Sequence, residues 1–226
     1  MKLSVIMPVY NEKATIEKII SRVLAVEVEK ELVIVDDFST DGTRDILKTY
    51  EGQPGIKICW HPHNLGKGAG IRTGIRECTG DYIIIQDADL EYDPNDILHM
   101  VQIAQFKNAD VVFGNRFMGL HTGLYFWNAL ANKFLTFMTN LVYNAWIADM
   151  ETCYKLVRRE KLQRLTLKSK GFDIEPEITG KLLKQKLKIY EVPISYDGRT
   201  YEEGKKIRAR DGIIALYTLL KYRFTD

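Results

Sequence analysis

The chain has 226 residues, of which 46% are hydrophobic and 27% are charged, and its formal net charge is +2. This composition is typical of a soluble globular protein long enough to bury a full core, and so small a net charge gives no reason to expect nucleic acid as a partner. No stretch approaches the roughly 18 consecutive apolar residues that a membrane span requires.

Predicted strands and helices alternate through the first half of the chain. Apolar runs predict strands at residues 3–9, 31–35, 56–60, 82–85 and 110–113. Apolar residues at helical spacing lie between these runs, and Asn11 is a good N-cap for the first helix. This alternation predicts an α/β fold with a mainly parallel central sheet flanked by helices.

The most informative stretch begins where the strand at residues 82–85 ends. Asp87, Asp89 and Glu91 follow at every second position, and an extended backbone places alternate residues on the same side. Three such carboxylates repel one another unless a cation lies among them, and oxygen ligands without Cys or His suit Mg²⁺ or Mn²⁺. A solvated acidic loop is the alternative. Because ligands of open α/β sheets collect at the carboxyl ends of strands, we predict a metal held by Asp89 and Glu91.

A glycine-rich stretch follows the third predicted strand. Its backbone N–H groups and Lys67 are placed to approach a phosphate. The stretch matches neither the P-loop nor the dinucleotide-binding fingerprint, and a turn with close helix packing explains it equally well. The histidines just before it, His61 and His63, are predicted on the loop surface. The glycines are Gly66, Gly68, Gly70 and Gly74.

The second half of the chain has a different character. Residues 117–147 are rich in Leu, Phe, Tyr and Trp and predict an amphipathic helix or helix pair with a broad aromatic face. Packing on the sheet accounts for part of this face, and partial burial at a lipid interface is the alternative for the rest. Further strands are predicted at residues 154–157 and 188–194, each followed by a loop, and a helix follows residues 171–177. The last helix begins beside the cations Lys205, Lys206, Arg208 and Arg210. Cations at a helix N-terminus gain nothing from its dipole, so an anionic partner is expected there.

Six motifs, in this order, resemble those of family 2 glycosyltransferases of the dolichol-phosphate mannose or glucose synthase type. They read VIMPVYNE (5–12), VDDFSTDGT (35–43), NLGKG (64–68), DADL (87–90), GNR (114–116) and EVPI (191–194). The resemblance spans nearly the whole chain and implies one domain of GT-A type over residues 1–226. Residues 1–116 would form its nucleotide-sugar-binding half and residues 117–226 its acceptor-side half, which carries the amphipathic helices.

The resemblance implies an inverting, metal-dependent transfer of a hexose from a UDP- or GDP-sugar to a polyprenyl phosphate of the dolichyl type, with Mg²⁺ or Mn²⁺ as cofactor. It implies that the donor is bound by Pro8, Tyr10, Glu12, Asp37, Lys67, Asp87, Ala88 and Asp89. The cations assigned to the acceptor or its phosphate are Arg116, Lys155, Arg199 and Lys205. The predicted catalytic residues are Asp87, Asp89, Asp149 and Arg116.

The acceptor side departs from the family pattern. Where the mannose synthases tend to read DxTSGFR, residues 149–155 read DMETCYK, and Glu91 stands where family members often have Gln. A glycosyltransferase acting on a sugar hydroxyl is therefore an alternative, and Asp149 or Glu151 would take the proton of that hydroxyl. A non-catalytic nucleotide-sugar binding module is a third interpretation, against which the retained acidic residues argue. A nucleotidyltransferase is disfavoured because no glycine-rich basic motif follows the first strand.

The expected location is the cytoplasm. The three cysteines share no CxxC spacing, so neither a disulfide framework nor a zinc site is predicted, and residues 2–8 lack the apolar core of a signal peptide. Aromatic residues in 124–146 and the basic start of the last helix predict peripheral contact with the cytoplasmic face of the membrane. The sequence leaves the oligomeric state open, a homo-oligomer included.

Overall fold

The computed structural model describes residues 1–199 and 209–225, and the predicted cations Lys205, Lys206 and Arg208 lie outside this part of the chain. The strands are β1 (Leu3–Val9), β2 (Lys30–Asp36), β3 (Ile56–Trp60), β4 (Tyr82–Ile85), β5 (Val111–Asn115), β6 (His121–Thr122), β7 (Lys155–Arg158), β8 (Ile189–Pro193) and β9 (Tyr196–Asp197). The helices are α1 (Ile16–Ala25), α2 (Thr43–Lys48), α3 (Lys67–Glu77), α4 (Asp96–Lys107), α5 (Phe126–Tyr143), α6 (Arg159–Gln163), α7 (Ile174–Lys184) and α8 (Ala209–Phe224). All seven predicted strands are present.

One seven-stranded sheet forms the centre of the fold, in the order β3-β2-β1-β4-β7-β5-β8. All neighbours pair in parallel except β7, which runs antiparallel to both β4 and β5. The prediction of a mainly parallel sheet is therefore confirmed. Because parallel strands end at the same edge, the residues that follow β1, β2, β4 and β5 meet on one side of the molecule.

The central strands are covered on both faces. Every residue of β4 is buried, which explains why its apolar run shows no alternation. Helix α3 lies so close to β1 that a Cβ atom at Gly74 would overlap the Ile6 side chain. Helix α1 adds its apolar stripe, Ile16, Ile19, Ile20 and Val23. The core thus holds the carboxyl edge of the sheet in place.

The aromatic segment forms one continuous helix, α5, which packs on α7 and α8. The residues that it buries are Leu135, Thr136 and Thr139, so most of its aromatic face lies on the surface. Among residues 1–199 and 209–225, no helix is both long enough and apolar enough to cross a bilayer.

A second, two-stranded sheet pairs β6 with β9 and was missed by the sequence analysis. Two residues are too few for a periodic signal, so these strands have no sequence pattern. In β9, the Asp197 N–H also donates to the Glu91 carbonyl at 2.8 Å. This bond holds the chain beyond β8 against the acidic stretch. It thereby brings Arg199 to the acidic carboxylates.

Candidate active site

A cavity of about 320 Å³ opens where β1, β2, β4 and β5 end. Tyr92, Tyr196 and Phe172 add aromatic walls to it. Two predicted residues, Asp149 and Lys155, do not line the cavity, and Lys205 lies outside the described residues. The predicted residues that do line it are Pro8, Tyr10, Glu12, Asp37, Lys67, Asp87, Ala88, Asp89, Glu91, Arg116, Glu151 and Arg199.

At the β1–β2 end of the cavity, Asp37 fixes the loop before α3. Its carboxylate accepts hydrogen bonds from the backbone N–H groups of Leu65 and Gly66, at 2.8 and 2.7 Å. His61 Nδ1 lies 2.7 Å from the same carboxylate, and His61 Nε2 lies 3.0 Å from Thr73 Oγ1. The surface position predicted for His61 is therefore wrong: the ring is buried, since a buried carboxylate needs hydrogen-bond partners inside the protein.

The glycines before and within α3 serve close packing. Gly66 has φ of +92°, and a Cβ there or at Gly68 would overlap the backbone of residues 169–170. The Gly68 N–H donates to the Lys170 carbonyl at 2.8 Å. Of the two interpretations of this stretch, these contacts favour the turn with close helix packing, and they place Lys67 at the cavity wall.

The acidic stretch after β4 faces a guanidinium. Arg199 Nη2 lies 3.0 Å from Asp89 Oδ2, and its other nitrogens lie 3.7 Å from Glu91 Oε1 and 3.6 Å from Glu12 Oε2. Burial, followed by repulsion from Asp87 and Glu91, raises the pKa of Asp89 to about 7. Arg199, from a loop more than 100 residues further along the chain, thus supplies a cation to Asp89 and Glu91, and Lys67 supplies one to Asp87 at 2.8 Å.

The predicted metal ligands fit a hard divalent cation in their chemistry. Asp89 and Glu91 both line the cavity with carboxylate oxygens, which are the ligands that Mg²⁺ and Mn²⁺ prefer. Within the described residues, no three His, Cys, Asp or Glu side chains form a metal cluster. A metal held here would therefore need further oxygens from a bound diphosphate, as is usual for Mg²⁺.

Arg116, the residue after β5, is held by Asp149 from behind the cavity. The Asp149 carboxylate accepts from Arg116 Nε at 2.8 Å, Nη2 at 2.7 Å and the backbone N–H at 3.0 Å. Burial alone would lower the pKa of Arg116, but the adjacent carboxylate raises it well above its ordinary value. Asp149 is fully buried and does not reach the cavity, so it does not fit the role of base for an acceptor hydroxyl. Its geometry is that of a residue that positions Arg116.

Lys155 also lies outside the cavity, although it was predicted to bind the acceptor or its phosphate. Its ammonium is buried, lies 2.7 Å from Glu175 Oε2 and also contacts the Thr152 carbonyl. A cation closed in this manner does not meet an acceptor phosphate at the cavity surface. Glu175 itself, in the first turn of α7, lines the cavity and also lies 3.9 Å from Lys67. The sequence analysis did not predict Glu175 as a site residue. An acidic first turn after a glycine is visible in the sequence, but neighbouring residues do not show which way the Glu175 side chain points.

Comparisons with known proteins agree with this architecture. The family model described as "Glycosyl transferase family 2" matches residues 4–166. A dolichol-phosphate mannosyltransferase from Pyrococcus furiosus is 28% identical over 212 residues, which cover 91% of this chain and 59% of that protein. A dodecaprenyl-phosphate galacturonate synthase from Rhizobium johnstonii is 34% identical over 122 residues, or 51% of this chain and 36% of that protein. The chain therefore spans little more than half of the first relative and about a third of the second.

Among solved structures, glucosyl-3-phosphoglycerate synthase from Mycobacterium tuberculosis, in complex with Mn²⁺, UDP and phosphoglyceric acid, is similar with a TM-score of 0.77. The alignment covers 99% of this chain and 78% of that one, at 18% sequence identity. At that identity the likeness concerns the fold. It confirms the predicted GT-A type architecture, and the two curated relatives confirm the resemblance to the polyprenyl-phosphate sugar synthases.

Proposed function

Since the chain belongs to glycosyl transferase family 2 and is a glycosyltransferase, we propose that it transfers a hexose from a UDP- or GDP-sugar to a polyprenyl phosphate, with inversion at the anomeric carbon. The observation that carries this proposal is one cavity that combines the acidic stretch with Lys67, Arg116 and Arg199. Carboxylates suit a metal–diphosphate, and cations suit the leaving and attacking phosphates. The two curated relatives, named for lipid-phosphate acceptors, support the choice of acceptor.

Different residues along the cavity bind the donor and the acceptor. Tyr10 and Asp37, after β1 and β2, take the base and ribose, and Lys67 and Arg199 place positive charge beside the departing diphosphate. When bound, Mg²⁺ or Mn²⁺ held by Asp89 and Glu91 would neutralise charge on that diphosphate. Arg116 orients the acceptor phosphate for attack on the opposite face of the sugar. Its guanidinium is rigid because Asp149 binds two of its nitrogens.

The direct test is nucleotide release from a panel of UDP- and GDP-sugars, measured with and without a polyprenyl phosphate. We expect release from one donor to depend on the lipid phosphate, and the glycolipid product to have the anomeric configuration opposite to that of the donor. Sugars with free hydroxyls serve as parallel acceptors. Release that depends on a sugar acceptor and ignores the lipid phosphate would contradict the proposal and favour the hydroxyl-directed alternative.

Replacing Tyr10 with Ala tests the donor site. The Tyr10 ring is 39% exposed and lines the cavity, so we expect it to stack on the nucleobase. Stacking of a base on an aromatic ring is worth about 1–3 kcal/mol, so KM for the donor should rise by roughly 5- to 150-fold while kcat changes little. Tyr10→Phe keeps the ring and should keep KM near the wild-type value. Equal losses in both variants, or a soaked nucleotide with its base away from Tyr10, would refute this placement.

An exposed apolar surface supports a lipid acceptor. Its side chains, all at least 40% exposed, recur at helical spacing on two neighbouring helices. The exposed cations Lys133, Arg210, Lys221 and Arg223 lie on the same helices, a combination that suits an anionic bilayer. We call this the α5–α8 surface and propose that it rests in the lipid interface. It comprises Phe126, Trp127, Leu130, Phe134, Phe137 and Leu141 of α5 with Ile213, Tyr217, Leu220 and Phe224 of α8.

Liposome flotation tests this attachment. Each basic residue near an anionic bilayer contributes about 1 kcal/mol, so the protein should float with anionic vesicles at low salt and dissociate as salt rises. Trp127→Glu combined with Phe137→Glu should abolish flotation. Phe106→Glu is the matched control, because Phe106 is equally exposed, at 79%, but lies on α4 outside the α5–α8 surface. The absence of wild-type binding at any salt concentration would refute the attachment.

A further inference from the structure

One carboxylate of the cavity has no ion-pair partner among the described residues. Other charged groups in and behind this part of the cavity form three ion pairs, each with atoms less than 3 Å apart. Glu151 is the remaining acid, and no hydrogen bond or ion pair joins it to any of the described residues. The three pairs are Lys67 with Asp87, Arg116 with Asp149 and Lys155 with Glu175.

Glu151 lies in the turn that leads into β7, and its side chain lines the cavity. Its Oε1 atom is buried and has no hydrogen-bond partner in the part of the chain that the structure describes. Four charged groups surround it: Lys155 and Arg116 favour its ionised form, and Glu175 and Asp149 oppose it. Burial has the largest effect and raises the pKa of Glu151 to about 7. A carboxyl group in this state exchanges its proton near neutral pH at little cost.

We propose that Glu151 takes the proton of the acceptor oxygen as that oxygen attacks the anomeric carbon. This inference rests on the proposed glycosyl transfer and assigns the acceptor as a group that brings a proton into the cavity. The other acids behind this end of the cavity are less suitable. Asp149 is sealed behind Arg116, and Glu175, although its Oε1 also lacks a hydrogen bond, has its Oε2 2.7 Å from the Lys155 ammonium. Glu151 lines the cavity, and none of the described cations forms an ion pair with it.

The step balances without any further reagent. The bond between the anomeric carbon and the diphosphate oxygen breaks, and its electron pair leaves with the nucleoside diphosphate. The bond between the acceptor oxygen and the anomeric carbon forms from an oxygen lone pair, and the proton of that oxygen passes to the Glu151 carboxylate. Glu151 returns the proton to solvent once the products leave.

Two acceptor groups bring such a proton, and they predict different pH behaviour. A sugar hydroxyl is protonated at every working pH, so its transfer should require Glu151 throughout. A phosphate monoester has its second pKa at about 6, so only its monoanion brings a proton. To accept this proton Glu151 must be ionised, so with a lipid phosphate the dependence on Glu151 should be largest between about pH 6 and pH 7 and fade above that range, where the dianion attacks directly.

The experiment compares kcat against pH for wild-type, Glu151→Gln and Glu151→Asp, using polyprenyl phosphate and sugar hydroxyls as separate acceptors. Gln preserves the size of the side chain but cannot accept the proton, so we expect kcat to fall by about 10²–10⁴-fold wherever the acceptor is protonated and Glu151 is ionised. With a sugar hydroxyl as acceptor, the wild-type limb that rises through about pH 7 should be lost in the same variant. Asp keeps the carboxylate and should retain that limb at intermediate kcat. Glu160→Gln, an exposed acid on α6, is the control and should match wild-type.

The possible outcomes are distinct. A loss in Glu151→Gln confined to the range between about pH 6 and pH 7 supports the inference with a phosphate acceptor, and a loss that persists above about pH 7 supports it with a hydroxyl acceptor. If the wild-type enzyme turns over and Glu151→Gln matches it in kcat and pH profile, the inference about Glu151 is wrong but the proposed function is not affected. A wild-type protein that transfers to neither acceptor refutes the proposed function, and the inference falls with it. Thermal unfolding of each variant shows that the fold is intact.

Discussion

Replacing Asp89 with Asn is expected to lower kcat by about 10²–10³-fold, which is the usual cost of removing one preorganised charge from a reacting centre. Asp89 stands between Asp87 and Glu91 at the carboxyl end of a fully buried strand, and it shares the Arg199 guanidinium with Glu91. Asn keeps the shape of the side chain but provides a weaker ligand for a divalent cation and no charge for Arg199. Turnover with saturating donor and metal is the measurement.

Two controls separate this effect from a general disturbance. Asp45→Asn changes an aspartate whose side chain is 80% exposed on α2, and it should leave turnover unchanged. Removing divalent metal with a chelator should bring the wild-type enzyme close to the level of Asp89→Asn and lower the variant little further. Wild-type turnover in Asp89→Asn, with its thermal unfolding unchanged, would show that the acidic stretch does not act on the diphosphate.

Replacing Asp149 with Ala is expected to lower the free energy of unfolding by about 3–5 kcal/mol, because it leaves the Arg116 guanidinium buried without its partner. The pair is bidentate, and Arg116 and Asp149 are 6% and 0% exposed. We expect activity to fall as well, since an unsupported guanidinium no longer points at one place in the cavity. Urea unfolding of the purified variant measures the loss of stability.

A second arginine–aspartate pair, which is more exposed and joined through Nε alone, provides the control. Arg158 Nε lies 2.6 Å from Asp110 Oδ1, but these side chains are 27% and 30% exposed. Water already solvates this pair, so Asp110→Ala should cost at most about 1 kcal/mol. If Asp149→Ala lowers the free energy of unfolding no more than Asp110→Ala does, burial does not make the Arg116–Asp149 pair more important for stability than the exposed pair.

Features that depend on near neighbours could be predicted from the amino-acid sequence. Apolar runs located the seven strands of the large sheet, because a strand buried on both faces needs apolar residues at successive positions. The same reasoning placed Asp87, Asp89 and Glu91 beyond β4, where strand ends meet, and these three side chains do line one cavity. The two-residue strands β6 and β9 escaped prediction because they are too short to form a pattern.

Which charged groups face each other depends on contacts between distant parts of the chain. Arg199 reaches Asp89 across 110 residues because β6 and β9 pair and hold the intervening chain against the acidic stretch. Spacing in the sequence could not show that Asp149 closes on Arg116, since their contact depends on how a loop beyond α5 packs behind β5. Glu151, two residues from Asp149, lines the cavity instead, and its Oε1 has no hydrogen-bond partner among residues 1–199 and 209–225. The sequence supplies the charges, but solvent exclusion, which only the folded chain creates, determines which of them are paired and which remain available for chemistry.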